Sequence, residues 1–313
     1  MDQQDFLPMN MHRDFESLDG APTGAITWTL KGGRVLGLAP FLVMGILNVT
    51  PDSFSDGGLH CDPDQATSHA GRLFSEGAAI VDVGGESTRP FSDLVPEDEE
   101  IRRVLPVIKA VTSCRPEAVV SVDTYKAGVA DRALRAGALI VNDVSAFVFE
   151  PGLLDVLVQH KPGYVLMHSQ GRPKTMQVEP RYDDILAEIS EFFEERMAAL
   201  VRAGLPEDRI VLDPGIGFGK TVDHNLAILR GLESFTALGR PLLMGLSKKS
   251  FLGTILGAGP GKPGGAGEPS GPDKLGPATQ VATALAFLRG AIIHRVHHVA
   301  ETVQALTLAR ALR

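Results

Sequence analysis

The sequence predicts a single parallel (β/α)8 barrel preceded by a β-hairpin. Short apolar runs alternate with helical-looking segments along most of the 313 residues, and that rhythm implies a parallel sheet. The runs number eight, the count that closes a barrel, in a chain only modestly longer than the ~250 residues typical of that fold. Polar residues sit at the carboxyl end of nearly every run. In a barrel those ends converge on one mouth. A doubly wound open sheet, the alternative, would spread them along an edge.

Residues 1–24 have no periodicity and read as a tail, loosely packed or draped over a body spanning 25–313. Ala25 to Ala39 reads as the hairpin: Ile26, Trp28 and Leu30 alternate, Gly32-Gly33 turns the chain, and Val35, Leu36 and Leu38 return it. The eight runs are Phe41–Leu47, Ala78–Val83, Val119–Val122, Leu139–Val144, Tyr164–Met167, Ile210–Leu212, Pro241–Leu246 and Ala291–Val296. Between them Asp64–Glu76, Pro96–Val111, Ala127–Ala136, Ile185–Ala203, Asn225–Leu238 and Thr279–Leu288 read as helices. In the fourth of these Ile185, Leu186, Ile189, Phe192, Phe193 and Met197 fall at roughly helical spacing. Residues 258–276 are rich in Gly and Pro and hold too little apolar surface to order themselves, which predicts a flexible surface loop.

Hydrophobic residues make up 44% of the chain, and 34 residues are glycine, ample for a sizeable core. The net charge of -8, from 30 basic and 38 acidic residues, does not suit a nucleic-acid or anionic-membrane binder. Anionic substrates stay open, because local basic groups matter more than the total. Cys61 and Cys114 lie far apart, outside any CxxC pair, and read as free thiols in a reducing compartment. The start, Met1-Asp2-Gln3-Gln4-Asp5, is not a signal peptide, and no apolar run approaches the ~20 residues of a membrane span. The expectation is a soluble cytoplasmic protein.

The chemistry is concentrated at the ends of the runs. The first passes from Met44-Gly45-Ile46-Leu47 into Asn48-Val49-Thr50-Pro51-Asp52-Ser53-Phe54-Ser55-Asp56-Gly57-Gly58. Asn48 sits where the apolar run stops, placed either to face a metal or anion or merely to end a strand. The second ends in Asp82-Val83-Gly84-Gly85-Glu86-Ser87-Thr88-Arg89-Pro90. Its glycines let the backbone approach a ligand, and the planar fork of Arg89 suits a carboxylate or pyrophosphate. Asp82 and Glu86 read as residues that order that loop.

Asp123, Asn142 and Asp213 close three further runs and present mostly acceptors. That pattern suits a heterocycle with ring N–H and exocyclic amine donors, such as a pterin. Gly215-Ile216-Gly217-Phe218-Gly219-Lys220 lacks the spacing of a P-loop or a dinucleotide fingerprint. Its glycines read as allowing close backbone approach, and Phe218 as an apolar wall. Lys248-Lys249 followed by Ser250 at a helix start reads as an anion site. In Ile293-His294-Arg295-Val296-His297-His298, Arg295 and His297 share one side of the strand and read as a pyrophosphate clamp. The same alternation separates the histidines and argues against zinc.

These pieces, in this order, resemble dihydropteroate synthases from about residue 25 to 305. The matching strings are 44–58, 84–90, 121–124, 166–177, 213–220, 245–251 and 295–297. The resemblance implies condensation of 6-hydroxymethyl-7,8-dihydropterin pyrophosphate with 4-aminobenzoate, with magnesium required and pyrophosphate released by an SN1-like path. It implies that Asp123, Asn142, Asp213 and Lys249 bind the pterin, that Met167 and Phe218 wall it, and that Arg295 stacks over it. By the same resemblance Asn48 contacts Mg2+, and Asn48, Arg295 and His297 hold the pyrophosphate. Phe54, Thr88, Arg89, Pro90 and Ser250 would form the aminobenzoate site with Lys249. The loops at 50–60 and 86–95 would close over the reaction, with Asp56 helping to stabilise an electron-poor intermediate. Lys249, Arg295, His297 and Asp56 are therefore the expected catalytic set. A homodimer and inhibition by sulfonamides are also implied.

Two positions depart from the family pattern. His298 stands where the family usually has an acid, and Lys248 where it often has arginine. Two alternatives follow: a pterin-binding methyltransfer domain, which should lack the 44–58 loop, Ser-Thr-Arg-Pro and Lys249, and a catalytically silent paralogue.

Overall fold

A computed structural model describes residues 26–50, 63–87, 92–172, 174–257 and 272–313. The 1–24 tail, Phe54, Asp56, Thr88, Arg89, Pro90 and residues 258–271 of the Gly/Pro-rich segment lie outside the described residues.

The hairpin consists of β1 (Thr27–Thr29) and β2 (Val35–Gly37), antiparallel with Trp28 opposite Leu36. Between them Lys31–Gly33 forms a 3-10 turn, with Gly32 and Gly33 at φ of 75° and 81°, in the left-handed region glycine tolerates. The barrel strands are β3 (Leu42–Asn48), β4 (Ile80–Gly84), β5 (Val120–Asp123), β6 (Ile140–Asp143), β7 (Gly163–Met167), β8 (Ile210–Asp213), β9 (Leu242–Met244) and β10 (Ala291–Val296). Each pairs in parallel with the next, and β10 pairs with β3 to close the barrel. The helices are α1 (Pro63–Ser75), α2 (Glu97–Cys114), α3 (Ala127–Arg135), α4 (Leu153–His160), α5 (Ile185–Ala203), α6 (Val222–Arg230), α7 (Ser250–Ile255), α8 (Gly276–Leu288) and α9 (Val299–Ala311).

The expected barrel and hairpin are both present, with local differences. The segment expected as one helix over Asn225–Leu238 is divided into α6 and a 3-10 stretch, Leu232–Leu238. Gly231 marks the break: a Cβ there would lie 2.3 Å from Leu186 Cδ1 on α5, so the chain passes too close to α5 for a side chain. α6 starts early because Thr221 and His224 cap it reciprocally, Thr221 Oγ1 accepting from His224 N and His224 Nδ1 from Thr221 N, each at 3.2 Å. The described end of the Gly/Pro-rich segment is ordered: Pro272–Leu275 is a 3-10 turn and Gly276 begins α8. The apolar Leu275 is buried there and gives those residues an anchor.

Strand parity separates two cores. The outward side chains of the barrel pack on the helices in one large cluster. The inward ones, Met44, Ile80, Val119, Ile140, Val165, Val211, Leu243 and Ile293, form a layer near the amino ends of the strands. Trp28, Leu30, Leu36 and Leu38 of the hairpin region close that end. Trp28 Nε1 donates to Arg209 O at 2.7 Å, and Arg209 Nη1 to Leu30 O at 2.7 Å. The amino end is thus sealed by apolar side chains, and the inward positions further along each strand form the floor of the opposite mouth.

Among the described residues no helix is long and apolar enough to cross a membrane.

Candidate active site

The register across the strands places the polar ends in one row. Asn48 pairs with Gly84, Gly84 with Asp123, and Asp123 with Asn142. Gly84 keeps that row open, because a Cβ there would lie 3.5 Å from both Asn48 Oδ1 and Asp123 Oδ2. On the other side of the mouth Met167 pairs with Asp213. Tyr125, Val144 and Met167 form a small apolar cluster, with Phe149 and Phe218 against it. Met167 and Phe218 are therefore walls of one space, beside Asp123, Asn142 and Asp213.

Two cations serve this space. Lys249 Nζ lies 4.2 Å from the centre of the Phe218 ring. Burial pushes its pKa down to about 8, against the pull of Asp213. Arg295 crosses the mouth from β10, its Nε 2.6 Å from Asp82 Oδ2 and its Nη2 2.6 Å from Asp123 Oδ2. Burial opposes the charge on Arg295, but the Asp82 and Asp123 carboxylates outweigh it and hold the proton more tightly. Asp123 is pushed up to about 7 by burial, against Arg295, with the negative charge of Asp82 adding to the rise. Burial also raises the pKa of Asp213, whose Oδ1 accepts from Gly215 N at 2.8 Å.

Arg295 is within β10, and His297 follows directly after its last residue, Val296. His297 is steadied by Ser247, with Nδ1 2.9 Å from Ser247 Oγ. His294, of opposite parity, is fully buried against Phe287 of α8. His298 precedes α9, its Nδ1 3.9 Å from Glu301 Oε1 in the first turn of that helix. Ser250 opens α7, a helix of six residues. With Lys249, Gly217, Gln177, Asn225 and Thr254 it lines a groove of about 400 Å³ beside the Phe218 wall. Phe54, Asp56, Thr88, Arg89 and Pro90 lie outside the described residues.

Two residues have roles their sequence context did not suggest. Asp82, read as ordering its own loop, is fully buried and bonds Arg295 and, at 3.0 Å, Asn142 Nδ2. The available signal was parity: Asp82 shares the inward side with Ile80 and Gly84. Lys220 is buried beneath the glycine-rich loop, its Nζ 3.0 Å from His168 Nδ1 and 3.0 Å from Phe218 O. Burial lowers its pKa to about 7 and that of His168 to about 2. Glu86 holds the described part of its connection: its carboxylate accepts from Val95 N and Tyr125 Oη, each at 3.1 Å, and shares the Lys126 ammonium with Glu100.

No group of three or more His, Cys, Asp or Glu side chains able to hold a metal occurs among the described residues. A hard divalent ion that keeps its waters and binds phosphate oxygens needs only one or two protein oxygens. Asn48 Oδ1, bordering the space kept open at Gly84, fits that demand.

The family model described as pterin binding enzyme matches residues 44–297. The dihydropteroate synthase of Escherichia coli K12 is 43% identical over 279 residues, covering 89% of this chain and 94% of that protein. The Yersinia pestis dihydropteroate synthase in its sulfonamide drug complex superposes with a TM-score of 0.82 at 42% identity, covering 92% of this chain and 99% of that one. The Xanthomonas albilineans dihydropteroate synthase in complex with 7,8-dihydropteroate gives 0.77 at 41% identity, covering 90% and 96%.

Proposed function

The chain belongs to the pterin-binding enzyme family, among its dihydropteroate synthases, and from that premise we propose how its barrel mouth joins 6-hydroxymethyl-7,8-dihydropterin pyrophosphate to 4-aminobenzoate. The products are 7,8-dihydropteroate and pyrophosphate. The observation that carries this reading is the row of buried acceptors, Asp123, Asn142 and Asp213, set between the Met167–Phe218 walls and the cations Lys249 and Arg295.

The pterin inserts its donor edge toward the acceptors, and its flat face lies along Met167 and Phe218. Lys249 and Arg295 complete that pocket. Arg295 and His297 face the pyrophosphate, and Asn48 would hold Mg2+ there. The ion, when bound, supplies charge neutralisation for the leaving group. The carbon–oxygen bond to pyrophosphate breaks, and the electron pair leaves with it. The cation left on the methylene is delocalised into the pterin and is stabilised by the nearby Asp123 and Asp213 carboxylates. The aminobenzoate nitrogen then bonds to that carbon, and the resulting ammonium gives up a proton to solvent. Ser250 and Lys249 would seat its carboxylate in the groove beside Phe218, with Phe54, Thr88, Arg89 and Pro90 closing the site and Asp56 near the cation. A sulfonamide would compete there.

We further propose a cytoplasmic homodimer. Val281, Leu285 and Leu288 form an exposed apolar stripe along α8, and Leu308 and Leu312 add exposed apolar surface at the neighbouring end of the chain. A second copy burying the stripe would account for it.

The test is dihydropteroate formation from the pterin pyrophosphate and radiolabelled 4-aminobenzoate with Mg2+. Product is expected, lost on chelation and reduced about 100-fold or more in Lys249→Ala. No product, with the pterin still bound, would mean a silent paralogue.

A further inference from the structure

We propose that Asp82 is a positioning residue that sets the hydrogen-bond polarity of the pterin subsite, by making Asn142 turn its carbonyl oxygen toward the ligand. The inference rests on the pterin reading above and adds a residue that never touches the substrate.

Asp82 lies one inward position below Gly84 on β4, with no solvent exposure. Its Oδ2 receives Arg295 Nε at 2.6 Å and Asn142 Nδ2 at 3.0 Å. The two ends of an asparagine amide have nearly the same shape, so contact alone does not choose its orientation. A carboxylate beside a guanidinium chooses it, because the carboxylate only accepts. The Asn142 nitrogen must face Asp82, and its oxygen is left for the mouth. Asp123 and Asp213 are acceptors already. With Asn142 held as a third, the subsite favours a donor edge and disfavours a carbonyl in the same place. Asp82 Oδ1 and Asp123 Oδ1 are buried without a hydrogen-bond partner, so the array holds acceptors in excess of its own donors.

An asparagine at position 82 can donate to Asn142 Oδ1. Asn142 can then rotate and offer its NH2 to the ligand. Two probes distinguish the states: 6-hydroxymethylpterin, with a 2-amino group, and 6-hydroxymethyllumazine, with a 2-oxo group. Binding of each to the full chain is measured by fluorescence titration, with a melting curve as control. The parent is expected to favour the pterin, and Asp82→Asn to shrink that preference about tenfold or more. Asp82→Glu, which keeps an acceptor, should retain the preference. The charge lost beside Arg295 in Asp82→Asn moves both probes alike, so their ratio isolates polarity from general damage.

An unchanged ratio in a folded Asp82→Asn protein overturns the inference alone. A parent that binds neither probe overturns the pterin reading and the inference with it. Should Asp82→Asn fail to fold, the side-chain amide of Asn142 in the ligand-free, 15N-labelled parent decides. An NH2 held by Asp82 exchanges slowly with solvent; rapid exchange of both protons overturns the inference.

Discussion

Lys249 and Asp123 hold opposite charges in a setting that opposes both. Burial brings Lys249 down to about 8 and Asp123 up to about 7. The proposed mode of binding uses Lys249 protonated and Asp123 ionised, a combination favoured only near pH 7 to 8. The profile of kcat/KM against pH should be a narrow bell, rising through about 7 and falling through about 8. Asp123→Asn should lose the acid limb, and Lys249→Arg should carry the basic limb upward, because a guanidinium keeps its proton. A profile flat across that range would reject the assignment. The same shifts fix the sign for stability. The raised Asp123 favours folding below its ordinary 3.8, and that contribution is lost as pH rises through about 7. The lowered Lys249 favours folding above its ordinary 10.5, and that contribution is lost as pH falls through about 8. Both groups therefore weigh against the ligand-free fold in the window where the site works.

At the scale of elements, the loop after β8 shows how a motif can be legible in kind while its partner is set by the fold. Its glycines do permit close backbone approach, but much of that approach is to the loop after β7. Gly215 has φ of 68°, and a Cβ there would lie 1.9 Å from His168 O; at Gly219 it would lie 2.4 Å from Gln170 O. Lys220 then ties the two loops together through His168 and Phe218. Gly215→Ala should cost more than about 2 kcal/mol in urea unfolding, since the left-handed φ and the clash act together. Gly239→Ala is the control. Its φ is 71° and nothing lies within 4 Å of a Cβ there, so about 1 kcal/mol is expected from the φ alone. Equal losses at the two sites would show that the loop moves aside and that the contact with His168 does not matter.

The whole molecule divides its labour along the barrel axis. Trp28 and the inward apolar layer seal the amino end, and the carboxyl ends carry the chemistry. Around the outside, the exposed stripe of α8 is the surface on which self-association would depend. Leu285→Glu should convert a sedimenting dimer to a monomer while leaving the melting temperature of the barrel nearly unchanged. A parent that sediments as a monomer at micromolar concentration would remove the dimer from the proposal.

The sequence by itself determined the repeating architecture and most of the mouth. Eight apolar runs are a local signal, and alternation within a run puts Arg295 on the inward side and His294 on the side of α8. Asn48, Asp123, Asn142 and Asp213 were legible for the same reason, as polar residues ending apolar runs. The tertiary structure alone decided which of these groups meet. Arg295 reaches Asp82 across 213 positions and Asp123 across 172, because β10 returns to β3 when the barrel closes. No local pattern carries that pairing. The role of Asp82 stayed hidden because it lies within an apolar run, and that of Lys220 because its partner is on the preceding strand's loop. Periodicity is written residue by residue along the chain, whereas the partner of a buried charge is chosen by closure of the sheet.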